Sequence, residues 1–544
     1  MRRYRAVSAV LFAIVLSALV GGLFGRSALA TDDKISDHSR AFTAALATIE
    51  NNYVDKVEPE NLVTGAIRGM LGTLDPHSSY FTPKEYAQMR ERQEGRYYGI
   101  GVSIVAIDGD ITAMQVFEGS PAHKKGIRSG DVLASVNSKS MKGWTTEQAM
   151  HELRGPRGTR VNVEIKRRGY DAALGFELTR DEVYIPTVPA SFMIDASTGY
   201  IRMQDFGENT DRDVKHALRD LTSKGMRRLL FDIRGNPGGP LDQAIKVANE
   251  FLPRGRMIVK THGRIANSDQ EYRAQDDGEF TEIPIVLLAN RNSASASEIV
   301  TGALQDHDRA YVVGETTFGK ALVQSVYRIS GNAGLALTTA HYYTPSGRLI
   351  QRPWDATFDE YLSYGLQDQS QARAHTPSEL MHTDAGRPVY SGGGIEPDKR
   401  VVGPVGPNNG GGFNPTRFGR SLLGRTEFAR FAQRFSAVGD TRVSGASTGR
   451  AAVSANFAVD DAMVADFREQ LKTDHVKIDE DAFKKDDTFI RAMIRFEIDT
   501  ALFGVSDAWR HLIGADPQAQ AGLAEFGEAV KLTELSRGTK TKAH

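Results

Sequence analysis

The spacing of hydrophobic positions changes along the chain, and each change marks a different kind of element. Between residues 33 and 92, apolar side chains recur about every 3.6 residues, which predicts amphipathic helices. From residue 96 onward, alternating apolar and polar residues predict β-strands, most clearly at residues 161–165, and glycines separate those strands. A helical stretch at residues 145–153 interrupts them. The sequence therefore predicts a helical segment followed by a small β-rich domain.

Residues 182–352 contain short apolar runs of the kind found in strands that are buried on both faces. Residues 228–233 and 283–289 are the clearest, and each leads into a Gly- or Ser-rich turn and then a helical pattern. This order predicts alternating α- and β-structure. Residues 353–391 are polar and irregular, which predicts a surface insertion, and helical periodicity returns at residues 416–536.

The N-terminus predicts export. Arginines at positions 2, 3 and 5 precede an apolar run at residues 6–24, and Ala28-Leu29-Ala30 has the small-x-small pattern of a cleavage site. The run is longer than the usual signal-peptide core and close to the length that spans a bilayer, so a cleaved signal peptide and a retained membrane anchor both stay open. In either case the positive-inside rule places the rest of the chain at the periplasmic or extracytoplasmic side.

Composition excludes several classes of function. Lys and Arg total 67 against 68 Asp and Glu, so no excess of positive charge points to nucleic acid. The absence of cysteine excludes disulfides, thiol nucleophiles and Cys-ligated metals. No His-Glu-x-x-His pattern or other metal-ligand spacing occurs, so neither a metal nor a cofactor is predicted. At 544 residues the chain is too long for one compact domain.

Three glycine-bearing strings follow one another within residues 96–181. They are Gly-Ile-Gly-Val at 99–102, Gly-Ser-Pro-Ala at 119–122 and Gly-Asp-Val-Leu at 130–133. Each string alone is typical of an ordinary turn, but the ordered set resembles a PDZ domain of the bacterial protease-associated type.

A Gly-Ile-Gly turn exposes consecutive backbone N–H groups, which can form a nest for the terminal carboxylate of a peptide. The bound peptide would then add as a strand beside residues 101–105. Arg154, at the turn after the predicted helix, is a candidate for a further contact with that carboxylate. The predicted peptide-binding residues are Gly99, Ile100, Gly101, Val102 and Arg154.

A serine-rich segment at residues 293–298 follows a predicted buried strand and opens a helix that runs to about His307. The N-terminus of a helix stabilises an alkoxide or oxyanion, which favours a nucleophilic serine at Ser295. The string Ser-Ala-Ser-Glu at 295–298 also fits the capping-box pattern, in which Ser295 would only cap the helix. From this segment alone both roles stay open, and capping is the commoner.

Further strings change that balance. Gly-Asn-Pro-Gly-Gly occurs at 235–239, Phe-Gly-Lys at 318–320, Tyr-Thr-Pro-Ser-Gly-Arg at 343–348 and Gly-Ile-Glu-Pro-Asp at 394–398. In this order, and with the PDZ pattern upstream, residues from about 40 to 400 resemble the carboxyl-terminal processing (tail-specific) protease family.

The resemblance implies a role for each matching residue. Ser295 would be the nucleophile, Lys320 its base and Gln324 the support of that lysine. Backbone N–H groups at Ala296 and at Gly238 or Gly239 would form the oxyanion hole. The family's core resembles the crotonase-type ββα fold. The implied function is a serine endopeptidase that recognises protein C-termini through its PDZ domain and cleaves near them through an acyl-enzyme.

The predicted architecture is therefore α/β and multidomain: an N-terminal helical segment, a PDZ domain, a crotonase-like ββα serine protease core and a C-terminal helical region. The predicted order is a signal peptide or anchor at 1–30, helices at 31–95, the PDZ domain at 96–181, the Ser/Lys protease core at 182–402 with its insertion at 353–391, a linker at 403–415 and helices at 416–544.

The proposed base sets two local requirements. An unperturbed lysine, with a pKa of about 10.4, is protonated at neutral pH and cannot accept a proton. Burial lowers the pKa of a lysine and a carboxylate partner raises it, so Lys320 should be buried and without such a partner. The family commonly has glycine after this lysine, where the chain has Ala321; a positive φ there would cost about 1 kcal/mol. A straight strand would also separate the Cα atoms of Lys320 and Gln324 by about 13 Å, so contact between them requires a bend.

Other interpretations stay open. A PDZ-bearing envelope scaffold or chaperone without catalysis is one alternative, and a Ser-His hydrolase is another, although histidines such as His307 are more typical of structural roles. The string Asp-Pro-His-Ser-Ser-Tyr at 75–80 is more typical of a helix-ending turn than of a catalytic triad. The expected partners are peptide C-termini, with a homo-oligomer, an adaptor or regulator, and membrane attachment by the N-terminal segment all open.

Overall fold

The computed structural model describes residues 36–168, 170–354, 361, 364, 373–403, 415–433 and 453–540. The predicted signal segment at 1–30 and most of the predicted linker lie outside the described residues. Within the described ranges, no helix combines the length and apolar character needed to cross a bilayer. The chain forms two compact units: residues up to Lys84 with Val326–Leu337, and Glu85–Ser325 with the chain from Thr338 onward.

The helices are α1 (36–52), α2 (Pro59–Gly72), α3 (Pro83–Glu94), α4 (Pro121–Lys125), α5 (Thr146–Leu153), α6 (Thr210–Ser223), α7 (Leu241–Asn249), α8 (Ala296–Asp306), α9 (Arg417–Gly424), α10 (Glu427–Ala432), α11 (Asp461–Thr473), α12 (Glu480–Lys485), α13 (Asp487–Leu502), α14 (Val505–Ile513), α15 (Pro517–Ala524) and α16 (Phe526–Lys540). Short 3-10 turns occupy Ser330–Asn332 and Pro377–Glu379.

The strands are β1 (Ser79–Phe81), β2 (Arg96–Gly99), β3 (Val102–Ile107), β4 (Asp110–Val116), β5 (Val132–Val136), β6 (Lys139–Ser140), β7 (Arg160–Lys166), β8 (Leu174–Thr179), β9 (Asp181–Tyr184), β10 (Ala190–Met193), β11 (Thr198–Arg202), β12 (Arg228–Asp232), β13 (Met257–His262), β14 (Gln270–Arg273), β15 (Ile285–Ala289), β16 (Ala310–Gly314), β17 (Leu322–Arg328), β18 (Gly334–Tyr343), β19 (Leu380–His382), β20 (Pro388–Tyr390) and β21 (Lys399–Arg400).

The first unit is built from α1, α2 and β1. β1 pairs antiparallel with the start of β18, with Phe81 opposite Gly334. After α2, the Asp75 carboxylate accepts the backbone N–H groups of His77 and Ser78 at 2.8 and 2.7 Å, and the Ser78 hydroxyl at 2.7 Å. The string at 75–80 is thus a helix-ending turn, as predicted, because its Asp and Ser side chains are used to close it.

The PDZ region forms a sheet in the order β3-β4-β5-β7-β8, with β6 paired to β5. Burial alternates residue by residue along β7, as the sequence predicted. Thr145 caps α5 in a capping box with Gln148, whose side chain accepts the Thr145 N–H at 2.9 Å. Gly101 has φ +86°, and a Cβ there would lie 2.1 Å from the Ser120 Cβ, so only glycine fits this turn.

The central sheet has the order β10-β11-β12-β15-β16-β21 and is parallel except for the β10–β11 pair. One face packs against α6, α7 and α8, and the other against α14, α15 and α16. All five residues of β15 are buried, which agrees with the prediction of strands covered on both faces.

The C-terminal helices divide into two parts with different contacts. α9 to α13 share an apolar cluster of their own that includes Phe428 and Phe467. In this part Gln433 donates to the Ser129 carbonyl of the PDZ region at 2.9 Å. The second part, α14 to α16, completes the central sheet. The predicted C-terminal helices are present, and α14 to α16 among them supply one of the two helical layers of the core.

Part of the predicted irregular insertion is ordered. Within residues 353–391, β19 and β20 form an antiparallel hairpin. Tyr361 and Tyr364 are buried and lie edge-on to Phe318, with ring centroids 5.3 and 6.1 Å away. The prediction of an irregular surface segment was wrong for these residues because a few aromatic side chains in a polar stretch give no periodic signal.

The close approach of α15 to the sheet gives a testable prediction. A Cβ on Gly522 would lie 3.0 to 3.2 Å from side-chain atoms of Leu288, Leu230 and Val286, whereas a Cβ on Gly527 would meet nothing within 4 Å. We expect Gly522→Val to lower the free energy of unfolding by about 1–3 kcal/mol through overpacking. Gly527→Val is the matched control and should leave it unchanged or raise it slightly. Denaturant titration followed by tryptophan fluorescence measures both, and equal effects would contradict the docking of α15.

Candidate active site

Ser295 sits between the end of β15 and the first turn of α8. All residues of α8 are buried, and Ser295 itself is half-buried. Its backbone has φ 55° and ψ −115°, a region that costs a non-glycine residue of the order of 1–3 kcal/mol. Such a conformation persists only where neighbouring groups hold the backbone in place, so the contacts of this peptide unit matter.

The first turn of α8 is closed by Glu298. The Ser295 N–H donates to Glu298 Oε2 at 2.9 Å, and the Glu298 N–H donates to the Ser295 carbonyl at 2.8 Å. The predicted capping box between Ser295 and Glu298 is therefore present. The backbone carbonyl of Ser295 also accepts the Glu298 N–H, so the backbone contributes to closing the turn.

The same carboxylate holds the loop that carries Lys320. Glu298 Oε2 also accepts the Lys320 N–H at 2.9 Å, and Oε1 accepts the Gly319 N–H at 2.7 Å and the Thr317 hydroxyl at 2.5 Å. Glu298 is 0 % exposed. Burial raises the pKa of its carboxyl to about 6, against the pull of the four donors, which favour the charged form.

Tyr342, on β18, joins the same two residues at their carbonyls. Its hydroxyl lies 2.7 Å from the Lys320 carbonyl oxygen and 3.1 Å from that of Ser295. Burial and the charge of Glu298 raise the Tyr342 pKa well above its usual value, so the phenol stays protonated and can donate. The backbones of Ser295 and Lys320 are thus contacted at both their N–H and their C=O groups.

Lys320 contacts Gln324 as the sequence required. Its Nζ donates to Gln324 Oε1 at 2.9 Å. Lys320 is half-buried rather than fully buried. Gly319, directly before the lysine, has φ +90°, and a Cβ there would lie 2.9 Å from the Gly394 N. Ala321 is not among the described residues with positive φ, so alanine introduces no strain after the lysine.

The Gly-Asn-Pro-Gly-Gly loop lies directly against Ser295. A Cβ on Gly238, at φ +94°, would lie 2.8 Å from the Ser295 Cβ. The Gly238 N–H donates to the Asn236 side chain at 2.9 Å, so it is already used. Across the described part of the chain, the N–H groups of Gly239 and Ala296 donate to no protein acceptor.

The strings at 343–348 and 394–398 contact α8 and the loop before Lys320. Arg348 and the Ser346 hydroxyl bind Asp306 at the last turn of α8, the hydroxyl at 2.7 Å. The Ile395 N–H donates to the Thr317 Oγ1 at 2.7 Å, which orients the hydroxyl that Glu298 accepts. Sequence reasoning assigned these strings no role, and it missed Glu298 as more than a cap and Tyr342 altogether. The sequence does contain one sign of this role for Glu298: a charged residue in the first turn of a helix that is otherwise apolar enough to be buried.

The predicted peptide-binding turn of the PDZ region is at the β2–β3 junction. Gly99 ends β2, Val102 begins β3, and the Ile100 side chain is 2 % exposed in the PDZ core. Arg154 forms an ion pair with Glu91 of α3 and lies over the Tyr97 ring, 4.6 Å from its centroid. An internal carboxylate therefore already engages the arginine that was predicted to contact a peptide.

Tyr97 faces the same turn. Burial raises the pKa of Tyr97 to about 12, against the charge of Arg154, which lowers it. A Cβ on Gly99 would lie 3.0 Å from the Tyr97 ring. The Tyr97 ring thus packs against the turn that carries the predicted carboxylate nest.

Among the described residues, His307 is far from Ser295 and no group of side chains could hold a metal ion. His307 Nδ1 lies 2.8 Å from the Asp384 carboxylate and Nε2 lies 2.6 Å from the Met257 carbonyl, at the far end of α8 from Ser295. Where the structure describes the chain, no three His, Cys, Asp or Glu side chains are grouped closely enough to hold a metal ion.

Comparison with known proteins gives matches along most of the chain. Residues 197–357 match peptidase family S41, residues 88–166 match the PDZ domain, and residues 26–84 match the N-terminal domain of the activating protease CtpB. The carboxy-terminal-processing protease of Bartonella bacilliformis is 38 % identical over 56 % of this chain and 70 % of its own length.

The carboxy-terminal processing protease CtpA of Bacillus subtilis is 32 % identical over 70 % of this chain and 79 % of its own length. Among solved structures, a photosystem II D1 C-terminal processing protease is similar over 66 % of this chain and 92 % of its own, at 27 % identity and a TM-score of 0.34.

The raised pKa of Glu298 predicts a pH-dependent contribution to stability. Because the folded-state pKa is about 6 and the ordinary value is 4.5, the folded protein binds this proton more tightly. The resulting stabilisation is full below pH 4.5 and is lost as the pH rises through about 6, a change of about 2 kcal/mol. The free energies of unfolding of the wild type and of Glu298→Gln should be measured by denaturant titration from pH 4.5 to 7. Over this range the wild type should lose about 2 kcal/mol relative to Glu298→Gln. Parallel curves would contradict it.

Proposed function

The chain belongs to the carboxy-terminal processing proteases of peptidase family S41, which are serine peptidases, and we propose that Ser295 is its nucleophile and Lys320 its general base. Gln324 orients the amine of Lys320. The substrates are proteins whose C-terminal segments the PDZ domain captures and whose peptide bonds are cleaved near that end.

One observation carries the assignment of the pair. A single carboxylate oxygen, Glu298 Oε2, accepts the N–H groups of both Ser295 and Lys320 at 2.9 Å. These residues belong to different segments, and the shared acceptor brings their backbones to the same point. This convergence is what a nucleophile and its base require.

The chemistry is acyl transfer. The neutral Lys320 amine accepts the proton of the Ser295 hydroxyl while its oxygen attacks the scissile carbonyl carbon. The tetrahedral intermediate collapses, the C–N bond breaks, and the leaving amine takes the proton from the Lys320 ammonium. Water then attacks the acyl-enzyme, Lys320 accepts its proton, and Ser295 recovers a proton as the acid product leaves.

A lysine acts as base near neutral pH only when its amine is neutral. Gln324 suits this role because an amide oxygen accepts a hydrogen bond without adding a full negative charge, which would favour the ammonium form. The 2.9 Å contact between Lys320 Nζ and Gln324 Oε1 supports that arrangement.

The oxyanion is assigned to the N–H groups of Ala296 and Gly239. Gly238 is excluded as a donor because its N–H is bound to the Asn236 side chain at 2.9 Å. Ala296 is also the first residue of α8, where the helix dipole favours negative charge.

The alternatives have less support. A Ser-His hydrolase would need a histidine beside Ser295, but His307 lies at the other end of an 11-residue helix, about 16 Å along its axis. A non-catalytic scaffold would not require the paired fixation of Ser295 and Lys320. Export to the periplasm or the outer face of the membrane, by the segment at 1–30, is part of the proposal.

Intact-mass analysis of a protein substrate tests class and direction together. We expect wild-type enzyme to remove mass from the substrate's C-terminal side, and Ser295→Ala to reduce turnover by at least about 10³-fold. Lys320→Arg should be equally inactive, because arginine keeps the charge but cannot act as base. Lys246→Ala, which removes a surface lysine paired with Asp242, is the control and should retain activity.

Three outcomes would contradict parts of this proposal. Turnover by Ser295→Ala would exclude Ser295 as nucleophile. Mass lost from the N-terminal side, or equal cleavage of a substrate whose C-terminus is amidated, would exclude recognition of the C-terminal carboxylate.

The PDZ site gives a separate prediction. The predicted carboxylate nest depends on the backbone of the turn at Gly101, which has φ +86° and leaves no room for a Cβ beside Ser120. In a Ser295→Ala background, Gly101→Ala should therefore bind a labelled peptide with a free C-terminus several-fold more weakly than the Ser295→Ala parent. Fluorescence anisotropy measures both affinities. Equal binding of the amidated peptide would show that the turn does not recognise a carboxylate.

A further inference from the structure

We propose that Tyr342 and Glu298 act together as positioning residues, which set the separation and orientation of Ser295 and Lys320 through their backbones. The proposal rests on the assignment of Ser295 and Lys320 as nucleophile and base. Neither Tyr342 nor Glu298 would touch the substrate, so their effect on turnover passes entirely through the two residues that they hold.

The backbone of each of the two residues is held at two points. Glu298 Oε2 accepts the N–H groups of Ser295 and Lys320, both at 2.9 Å. The Tyr342 hydroxyl lies 3.1 and 2.7 Å from their carbonyl oxygens. A residue held at both its N–H and its C=O has fixed backbone dihedrals and therefore a fixed direction of its Cα–Cβ bond, so the points from which the Ser295 and Lys320 side chains extend are set relative to each other.

The strained backbone of Ser295 makes this fixation necessary. At φ 55° and ψ −115°, Ser295 would relax if its partners were removed, and relaxation would turn the hydroxyl away from Lys320. Misplacement by about 1 Å can reduce the rate about 10²-fold. Loss of the positioning contacts should therefore appear in the chemical step rather than in substrate binding.

Tyr342 is itself firmly placed. It is 1 % exposed and lies opposite Thr261 in the β13–β18 pair. Its own N–H donates to the Ala321 carbonyl at 3.0 Å, so β18 is also joined to the chain at the residue directly after Lys320. The hydroxyl is the only polar atom of this side chain, and removing it leaves the shape of the packed ring unchanged.

Tyr342→Phe is therefore the decisive variant, because it deletes the two contacts without changing volume. Its control is Tyr343→Phe, on the next residue of β18, which points to the opposite face of the strand. Glu298→Gln removes the charge from the other half of the arrangement, and the double variant measures the coupling between the two halves.

The readout is kcat and KM on an internally quenched peptide with a free C-terminus. We expect Tyr342→Phe to lower kcat about 10-fold, and Glu298→Gln about 100-fold, with KM within about two-fold of wild type. Because both residues hold the same two peptide units, the double variant should be about as slow as Glu298→Gln alone. Tyr343→Phe should match the wild type, and Tyr342→Phe should stay folded with a melting temperature lowered by about 2–4 °C, because it loses a buried hydrogen bond.

The possible results separate cleanly. Wild-type kcat for Tyr342→Phe, or independent losses that multiply in the double variant, would overturn the positioning role. If Glu298→Gln does not fold, Tyr342→Phe still decides, since a rise in KM without a fall in kcat would also overturn it. Full activity of Ser295→Ala would instead overturn the nucleophile assignment, so failure of the two proposals can be told apart.

Discussion

A buried carboxylate is the constraint on which the rest of the site depends. Removing a carboxylate from water is costly unless hydrogen bonds replace its hydration. Glu298 is fully buried and accepts four donors, from Ser295, Thr317, Gly319 and Lys320. Neither the turn before α8 nor the loop before β17 can satisfy this group alone, so each must be in place for the other to be stable.

The strings at 343–348 and 394–398 support the helix that carries Glu298 and the loop that it binds. Ser346 and Arg348 hold Asp306 at one end of α8, while Ile395 orients the Thr317 hydroxyl that Glu298 accepts at the other. The helix that follows Ser295 is therefore fixed at both ends by segments that lie later in the chain. A wholly buried helix needs such contacts, because its polar ends have no access to water.

Local features of the fold could be predicted from the sequence, and distant ones could not. Alternation in β7 and the apolar run of β15 depend on neighbours in the chain, and both were predicted. Periodicity shows that a strand is buried but not what covers it, so the packing of α14 to α16 on the central sheet was missed.

The candidate site shows the same division. Ser295, Lys320 and Gln324 lie in strings that could be recognised, and the structure brings Lys320 and Gln324 into contact. Tyr342 could not be singled out, because its partners are backbone carbonyls in other segments and leave no trace in side-chain chemistry. Whether Ala321 would be strained could not be decided from the sequence, because it depends on a backbone dihedral; the positive φ lies one residue before the lysine, at Gly319.

Holding a reactive residue by its backbone has a chemical consequence. A serine that caps a helix with its hydroxyl, or a lysine that anchors a loop with its amine, has committed that group to structure. Here Glu298 accepts the N–H groups of Ser295 and Lys320, and the Tyr342 hydroxyl lies beside their carbonyls. Much of the local structure is therefore held by two other side chains rather than by the side chains that are proposed to react.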